Sequence, residues 1–298
     1  MRILRLLSTT SLVAALLVQS PAAAGVAAVP AADVRPAALP QLVDVRAVHR
    51  DGVDRVVFQF DDGIPAGVDV RYVDRLLGDG SGLPIRIAGR AILQVGLQPT
   101  RTDRATDAPA RRSFALPNVM TVVRSGLFEG WTTYGLGLAR RTPVSVVRQP
   151  GRDRVVVEVG AAFRTVERRV FFLDEDRFAA NLEPFFVPRT RPVPVGSPAT
   201  GVMDRLFAGP LDRERARGLR LVRSRATGFA DLAIAGGIAR VRLRGGCSSG
   251  GSTVTIAGEI MPTLRQFDTV DWVKVLDPSG TTADPTGPGD SIPECLNP

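Results

Sequence analysis

Apolar residues crowd the first two dozen positions and then alternate with polar ones along most of the chain. Residues 12–18, with Leu6 and Leu7, form an apolar stretch behind Arg2 and Arg5. The stretch is shorter than the roughly 20 residues that a bilayer span needs. Ala22-Ala23-Ala24 then supplies the small residues that signal peptidase accepts. Residues 1–24 therefore read as an export signal, the alternative being an N-terminal membrane anchor. No cysteine follows the apolar stretch, so lipoprotein processing is not expected. No later segment is apolar enough to cross a membrane. The mature chain is expected to be secreted and soluble in the extracytoplasmic envelope. Residues 25–41 are rich in Ala, Pro and Val without periodicity, and read as a flexible linker.

From residue 42 the period becomes two. Val43, Val45 and Ala47 alternate with polar partners, and 54–60 follows as a strand, closed by the turn residues Asp61-Asp62-Gly63. Further strands fit 67–72, 91–97, 120–125, 131–138, 144–148 and 154–159. Short strands punctuated by Gly, Pro and Asp predict an antiparallel β-sandwich over residues 42–160. Residues 100–112 are charged and lack large apolar side chains, which predicts a long mobile loop.

After residue 167 the order changes. A strand fits 169–173, a turn Asp174-Glu175-Asp176, and an extended run 185–193. A helix fits 198–207, with Ser197 placed to cap it, Pro198 in its first turn, and Val202, Leu206 and Phe207 facing a core. Strands at 229–234 and 238–243 form a hairpin through Ala235-Gly236-Gly237. A helix at 253–267 and a strand at 271–276 complete an α+β domain over residues 168–298, a small sheet with helices on one face.

The tail after Pro278 is rich in Pro and Gly and needs a tether. Cys247 and Cys295 are the only cysteines, and in an exported chain such a pair predicts a disulfide, against the alternative of two free thiols.

Charge changes the picture only slightly. The formal net charge is +8, lowered by two when Arg2 and Arg5 leave with the signal. A basic balance favours polyanions, but export argues against nucleic acid as a partner. Lys274 is the only lysine, and the arginines are interspersed with acids, as in Arg50-Asp51. The pattern is that of a solvated, mildly basic surface.

Two resemblances organise the chain. The stretches Val170-Phe-Phe-Leu-Asp-Glu-Asp176, Met203-Asp-Arg-Leu-Phe-Ala-Gly-Pro210, Gly237-Ile-Ala-Arg-Val-Arg-Leu243 and Leu264-Arg-Gln-Phe267 resemble the GerMN domain, the sporulation and spore germination module. Asp54-Arg-Val-Val-Phe-Gln-Phe60, Asp69-Val-Arg-Tyr72, Phe128-Glu-Gly130 and Tyr134-Gly-Leu-Gly-Leu138 resemble the AMIN-like domain of actinobacterial envelope proteins. The first resemblance implies a module that mediates assembly, with an oligomer as one form of it. The second implies one that targets a cell-wall component such as peptidoglycan, or an envelope partner. Neither implies a catalytic residue or a cofactor.

The candidate chemistry points the same way. Gly246-Cys247-Ser248-Ser249-Gly250 satisfies G-x-S-x-G between a predicted strand and a predicted helix. A serine hydrolase using Ser248 needs a histidine downstream, however, and the only histidine is His49. One histidine and two cysteines do not make a typical zinc site. A Ser-x-x-Lys motif fails because Asp271 stands three before Lys274. No enzymatic activity is therefore expected. For binding, the first domain offers Arg71, Tyr72, Trp131, Tyr134, Arg140 and Arg141, since aromatic faces with arginine forks suit sugars and phosphates. The alternative is that Trp131 and Tyr134 are core residues.

Overall fold

Residues 38–103 and 106–298 are described by the computed structural model. The expected export signal over residues 1–24, and most of the linker, lie outside the described residues.

Among the described residues, nine strands make up the first part: β1 (Gln41–Arg50), β2 (Val53–Asp61), β3 (Gly67–Val73), β4 (Ala91–Gln98), β5 (Arg111–Ser113), β6 (Val119–Phe128), β7 (Trp131–Leu138), β8 (Val144–Gln149) and β9 (Arg154–Gly160). They form a four-stranded sheet, β1-β2-β9-β8, and a five-stranded sheet, β3-β4-β7-β6-β5. Every pairing in both is antiparallel. Alternation sends Val56, Phe58, Phe60, Val155, Val157 and Val159 of the first sheet into one core. Leu93, Val95, Leu97, Tyr134, Leu136 and Leu138 of the second enter the same core. Phe58 meets Tyr134 edge-on across it, with centroids 5.6 Å apart. In β1 a bulge between Leu42 and Asp44 shifts the register, so Leu42 and Val45 are buried and Val43 is not.

Asp54 fastens this part together. It is fully buried; its Oδ1 lies 2.7 Å from His49 Nδ1, and its Oδ2 accepts from the Asn118 and Val119 amides at 2.7 and 2.8 Å. The β1–β2 hairpin is thereby tied to the start of β6. The described residues of the segment 100–112 are more structured than their composition predicts. Thr100 is buried and shares a hydrogen bond with Thr132 (2.8 Å), Ala108 is buried, and Arg111 opens β5. Small and polar side chains here reach the core through hydrogen bonds rather than through apolar bulk.

The second part comprises β10 (Thr165–Asp174), α1 (Glu175–Ala179), β11 (Phe186–Pro194), α2 (Pro198–Ala208), α3 (Asp212–Arg215), β12 (Leu219–Arg220), β13 (Ala226–Ala235), β14 (Ile238–Gly245), α4 (Ala257–Arg265) and β15 (Trp272–Leu276). It holds two three-stranded sheets, β11-β10-β12 and β13-β14-β15, where one was expected. The reason is that β10 pairs on both its edges before β13 begins. Residues from both sheets and from α2 and α4 share one core, among them Phe172, Leu206, Val241, Ile260 and Val275. The β13–β14 turn has Gly236 and Gly237 both at positive φ, as the tightest hairpin turns require.

Three local expectations need correction. The Asp174-Glu175-Asp176 turn is the start of α1, because the Asp174 carboxylate accepts from the Arg177 amide at 3.0 Å and caps the helix. Ser197 makes no side-chain cap on α2; its carbonyl accepts from Gly201 (2.9 Å), and Pro198 leaves no N–H to satisfy at the first position. The predicted helix 253–267 begins only at Ala257, since the Ile256 amide donates to Ser224 Oγ and Ser252 closes a turn with Val254. The G-x-S-x-G stretch consequently forms no strand-to-helix elbow: Ser248 Oγ instead accepts from the Gly250 amide at 3.2 Å.

Cys247 and Cys295 form the disulfide, across a sequence separation of 48. It is not the only tether of the tail. Ser291 donates to the Val273 carbonyl and accepts from the Val275 amide, and Ser249 donates to the Cys295 carbonyl. Beneath the tail the one lysine, Lys274, is fully buried, its Nζ 3.3 Å from the Thr286 carbonyl oxygen. Reduction is expected to free the tail locally and to lower global stability by ~2 kcal/mol, the lower part of the range for a native bridge. Hydrogen exchange of residues 283–297 with and without reductant checks this; unchanged protection contradicts it.

The two parts meet through α2. Arg205 is fully buried and donates to the carbonyls of Phe114, Leu116 and Pro117. Ser113 Oγ returns a 2.6 Å bond to the Ala208 carbonyl. Arg112 bridges Asp212 (2.7 Å) to Asp44 (2.9 Å), and Arg90 reaches Asp204 at 2.8 Å while lying over the Phe229 ring. Burial pushes the Asp204 carboxyl up to about 6, against the pull of Arg90 and Arg205. A raised carboxyl stabilises the fold below its unfolded pKa, and that contribution disappears as pH rises through about 6. Asp204→Asn removes this titration. Its melting temperature relative to the parent is expected to shift in its favour between about pH 4.5 and about pH 7.5; a pH-independent difference contradicts the assignment.

Candidate functional site

The outer face of the five-stranded sheet carries the candidate site. On β7 the residues Tyr134, Leu136 and Leu138 point into the core, so alternation turns Trp131, Thr133, Gly135 and Gly137 outward. The glycines have a packing reason. A Cβ on Gly135 would sit 2.6 Å from the Leu76 side chain, and one on Gly137 would sit 2.0 Å from the Ala88 carbonyl oxygen. The segment 74–90 thus lies directly on bare backbone and covers one half of the face.

The other half is open. A hollow of about 420 Å³ is lined there by Asp69, Arg71, Asp79, Gln94, Gly96, Phe128, Trp131 and Thr133. Strand register places these residues side by side: Asp69 faces Gly96, which faces Thr133, while Arg71 faces Gln94. Phe128 and Trp131 flank a two-residue turn in which Glu129 and Gly130 both have positive φ. Trp131 leans over Gly96, where a Cβ would come within 2.9 Å of the ring, and Phe128 is exposed.

Two polar groups of the hollow form an ion pair. Arg71 donates to Asp69 at 2.9 Å, and both side chains are about half exposed, at 62% and 47%. Asp79 Oδ2 is buried and has no hydrogen-bond partner among the described residues. That oxygen lies against the Gly126 backbone, where a Cβ would come within 2.2 Å of it, and a buried acceptor left unsatisfied costs free energy.

The six residues singled out from sequence do not form one site. Arg71 and Trp131 share the hollow. Tyr72 and Arg141 pair with each other: the guanidinium lies 4.4 Å from the ring centroid, and the Tyr72 hydroxyl donates to the Thr142 carbonyl (2.6 Å) and accepts from its amide (3.0 Å). Arg140 stacks on Phe163 at 5.0 Å. Tyr134 is a core residue with no exposure, its hydroxyl donating to the Pro109 carbonyl at 2.9 Å. Burial pushes that hydroxyl up to about 12, so it stays a proton donor. Tyr134 is therefore withdrawn as a ligand contact.

Sequence reasoning missed Asp69, Asp79, Gln94 and Phe128. Applying the two-residue period across β3 and β4 would have placed Asp69, Arg71, Gln94 and Gly96 on one face. Asp79, in the covering segment, carries no such signal.

Among the described residues, no group of three or more His, Cys, Asp or Glu side chains is arranged to hold a metal ion, and no helix is long and apolar enough to cross a membrane.

Fold and face together define a β-rich protein of two modules, the first with an open aromatic and polar hollow. Residues 40–161 match the AMIN-like domain family, and residues 169–276 match the sporulation and spore germination family. The chain carries an AMIN-like domain followed by a sporulation and spore germination domain. No curated protein and no solved structure matches it.

Proposed function

We propose that this is a non-catalytic protein of the cell envelope that docks on wall glycan through the hollow around Trp131. In this reading the AMIN-like domain is a β-sandwich serving as the wall-binding module, and the second domain mediates assembly with envelope partners. Export rests on the signal pattern of residues 1–24 and on the AMIN-like match.

The observation that carries the reading is the hollow that sets the partly exposed Trp131 and the exposed Phe128 beside Asp69, Arg71 and Gln94. Sugars combine apolar C–H faces with rings of hydroxyls. Aromatic surface covers the first, and Asp69, Arg71, Gln94 and Asp79 match the second.

The test is co-sedimentation of the mature protein with purified cell wall, intact and stripped of anionic polymers, across a salt series. Salt-resistant binding to both preparations is expected. Absence from both pellets would sink the wall-binding reading and leave assembly through the second domain, which crosslinking in native cells would then have to reveal.

A further inference from the structure

At the junction of the two domains lies a second hollow, about 260 Å³, with Arg111, Arg215, Arg220 and Arg223 around a floor of Ala208, Gly209, Pro210 and Leu221. Two of these arginines are neutralised locally: Arg215 pairs with Asp212, and Arg220 with Glu175. Arg111 and Arg223 have no carboxylate partner among the described ion pairs. Arg111 comes from β5 of the AMIN-like domain, and Arg223 from the connection between β12 and β13 of the second domain.

Arg86 adds a third charge with no carboxylate partner among the described residues. Arg111 donates to its carbonyl, and its side chain lines the neighbouring cleft between the domains. Burial and the repulsion of neighbouring guanidinium groups bring Arg111 down to about 10 and lower Arg223 as well, with the buried Glu259 carboxyl pulling Arg223 the other way. Arg111 therefore remains charged at neutral pH. Unpaired like charges gathered over an apolar floor are electrostatically costly, and an anion entering the hollow relieves that cost.

We infer that this junction pocket binds a phosphoryl group, gripped from one domain by Arg111 and from the other by Arg223, with Arg86 at its edge. Arginine forks suit tetrahedral phosphate oxygens, and several forks converging on one small hollow suit a group with more than one charged oxygen. Phosphate chemistry reaches an envelope protein from two sources, a phosphodiester wall polymer or free phosphate and pyrophosphate. Because the ligand would touch both domains, its binding would also fasten the junction. This site is separate from the Trp131 hollow, so either can fail without the other.

The test is calorimetric titration of the mature protein with inorganic pyrophosphate and, separately, with a purified phosphodiester wall polymer. Saturable binding is expected, weakened about tenfold or more by Arg111→Gln and by Arg223→Gln. Arg50→Gln, which removes an exposed charge elsewhere, should change it less than about twofold. Arg223→Lys keeps the charge without the fork and should fall between, provided its melting temperature shows an intact fold. Tighter binding of the polymer assigns the pocket to a phosphodiester, and tighter binding of pyrophosphate to a free phosphate. No saturable heat with either probe, or equal losses in the Arg50 variant, overturns the proposal.

Discussion

Arg205→Ala is expected to destabilise the protein by about 3–5 kcal/mol, the range for breaking a buried charged network. The side chain is fully enclosed and holds three carbonyls of the 114–117 segment. Truncation leaves those carbonyls unpaired and opens a cavity between α2 and the first domain. Burial brings the guanidinium down to about 9, so it is charged in the native protein at neutral pH. Its Nε finds no partner among the described residues, which marks the packing as less than ideal and argues for the middle of the range. For a protein of this size that loss corresponds to a fall in melting temperature of ~10 °C. Arg205→Met, which fills the volume without the hydrogen bonds, should fall less. Scanning calorimetry adds a second reading: the parent should melt in one transition, and Arg205→Ala should separate the two domains into two. A variant that melts with the parent would show that α2 does not couple the domains.

The second large effect falls on binding. Trp131→Ala removes the larger aromatic surface of the hollow and is expected to weaken glycan binding by about thirtyfold or more, as truncation of a central aromatic anchor does. It should cost little stability, because Trp131 points outward from the sheet and is partly exposed. Asp79→Asn should weaken binding less, since an amide keeps one acceptor. The split between lost binding and retained melting distinguishes a contact residue from a structural one. Co-sedimentation with purified wall at fixed salt reads the first quantity, and thermal melting the second.

Much of this architecture was legible from alternation. The strand β7 and its core-facing Tyr134, Leu136 and Leu138 follow from the period of two, and so does the hairpin at Gly236-Gly237. α2 was visible because Val202, Leu206 and Phe207 recur at helical spacing after a proline. Elements held by hydrogen bonds rather than by apolar pattern were not legible. The strand β5 has the sequence Arg-Arg-Ser, and α1 is fixed by one carboxylate cap. The division of the second domain into two sheets depends on β10 pairing with both β11 and β12, a long-range choice that no local window contains.

The site was half legible. Arg71 and Trp131 were identified by residue type and do share a hollow. Tyr134 looked equivalent to Trp131, yet three positions along a strand place it on the opposite face. Tyr72 and Arg141 satisfy each other at the sheet's end. The partner groups come from β3, β4 and the segment over the sheet, brought together by register that composition does not reveal. The junction arginines were hidden in the same way, because Arg111 and Arg223 meet only when α2 docks.

Wall recognition by the Trp131 hollow can be read directly from fluorescence. Trp131 and Trp272 are the only tryptophans, so Trp272→Phe leaves Trp131 as the sole indole reporter. Titrating that variant with soluble glycan fragments of purified wall is expected to give a saturable change in emission, weakened by Arg71→Ala in the same hollow. An emission spectrum that stays unchanged to saturating fragment, from protein that still melts cooperatively, would contradict glycan docking at this face.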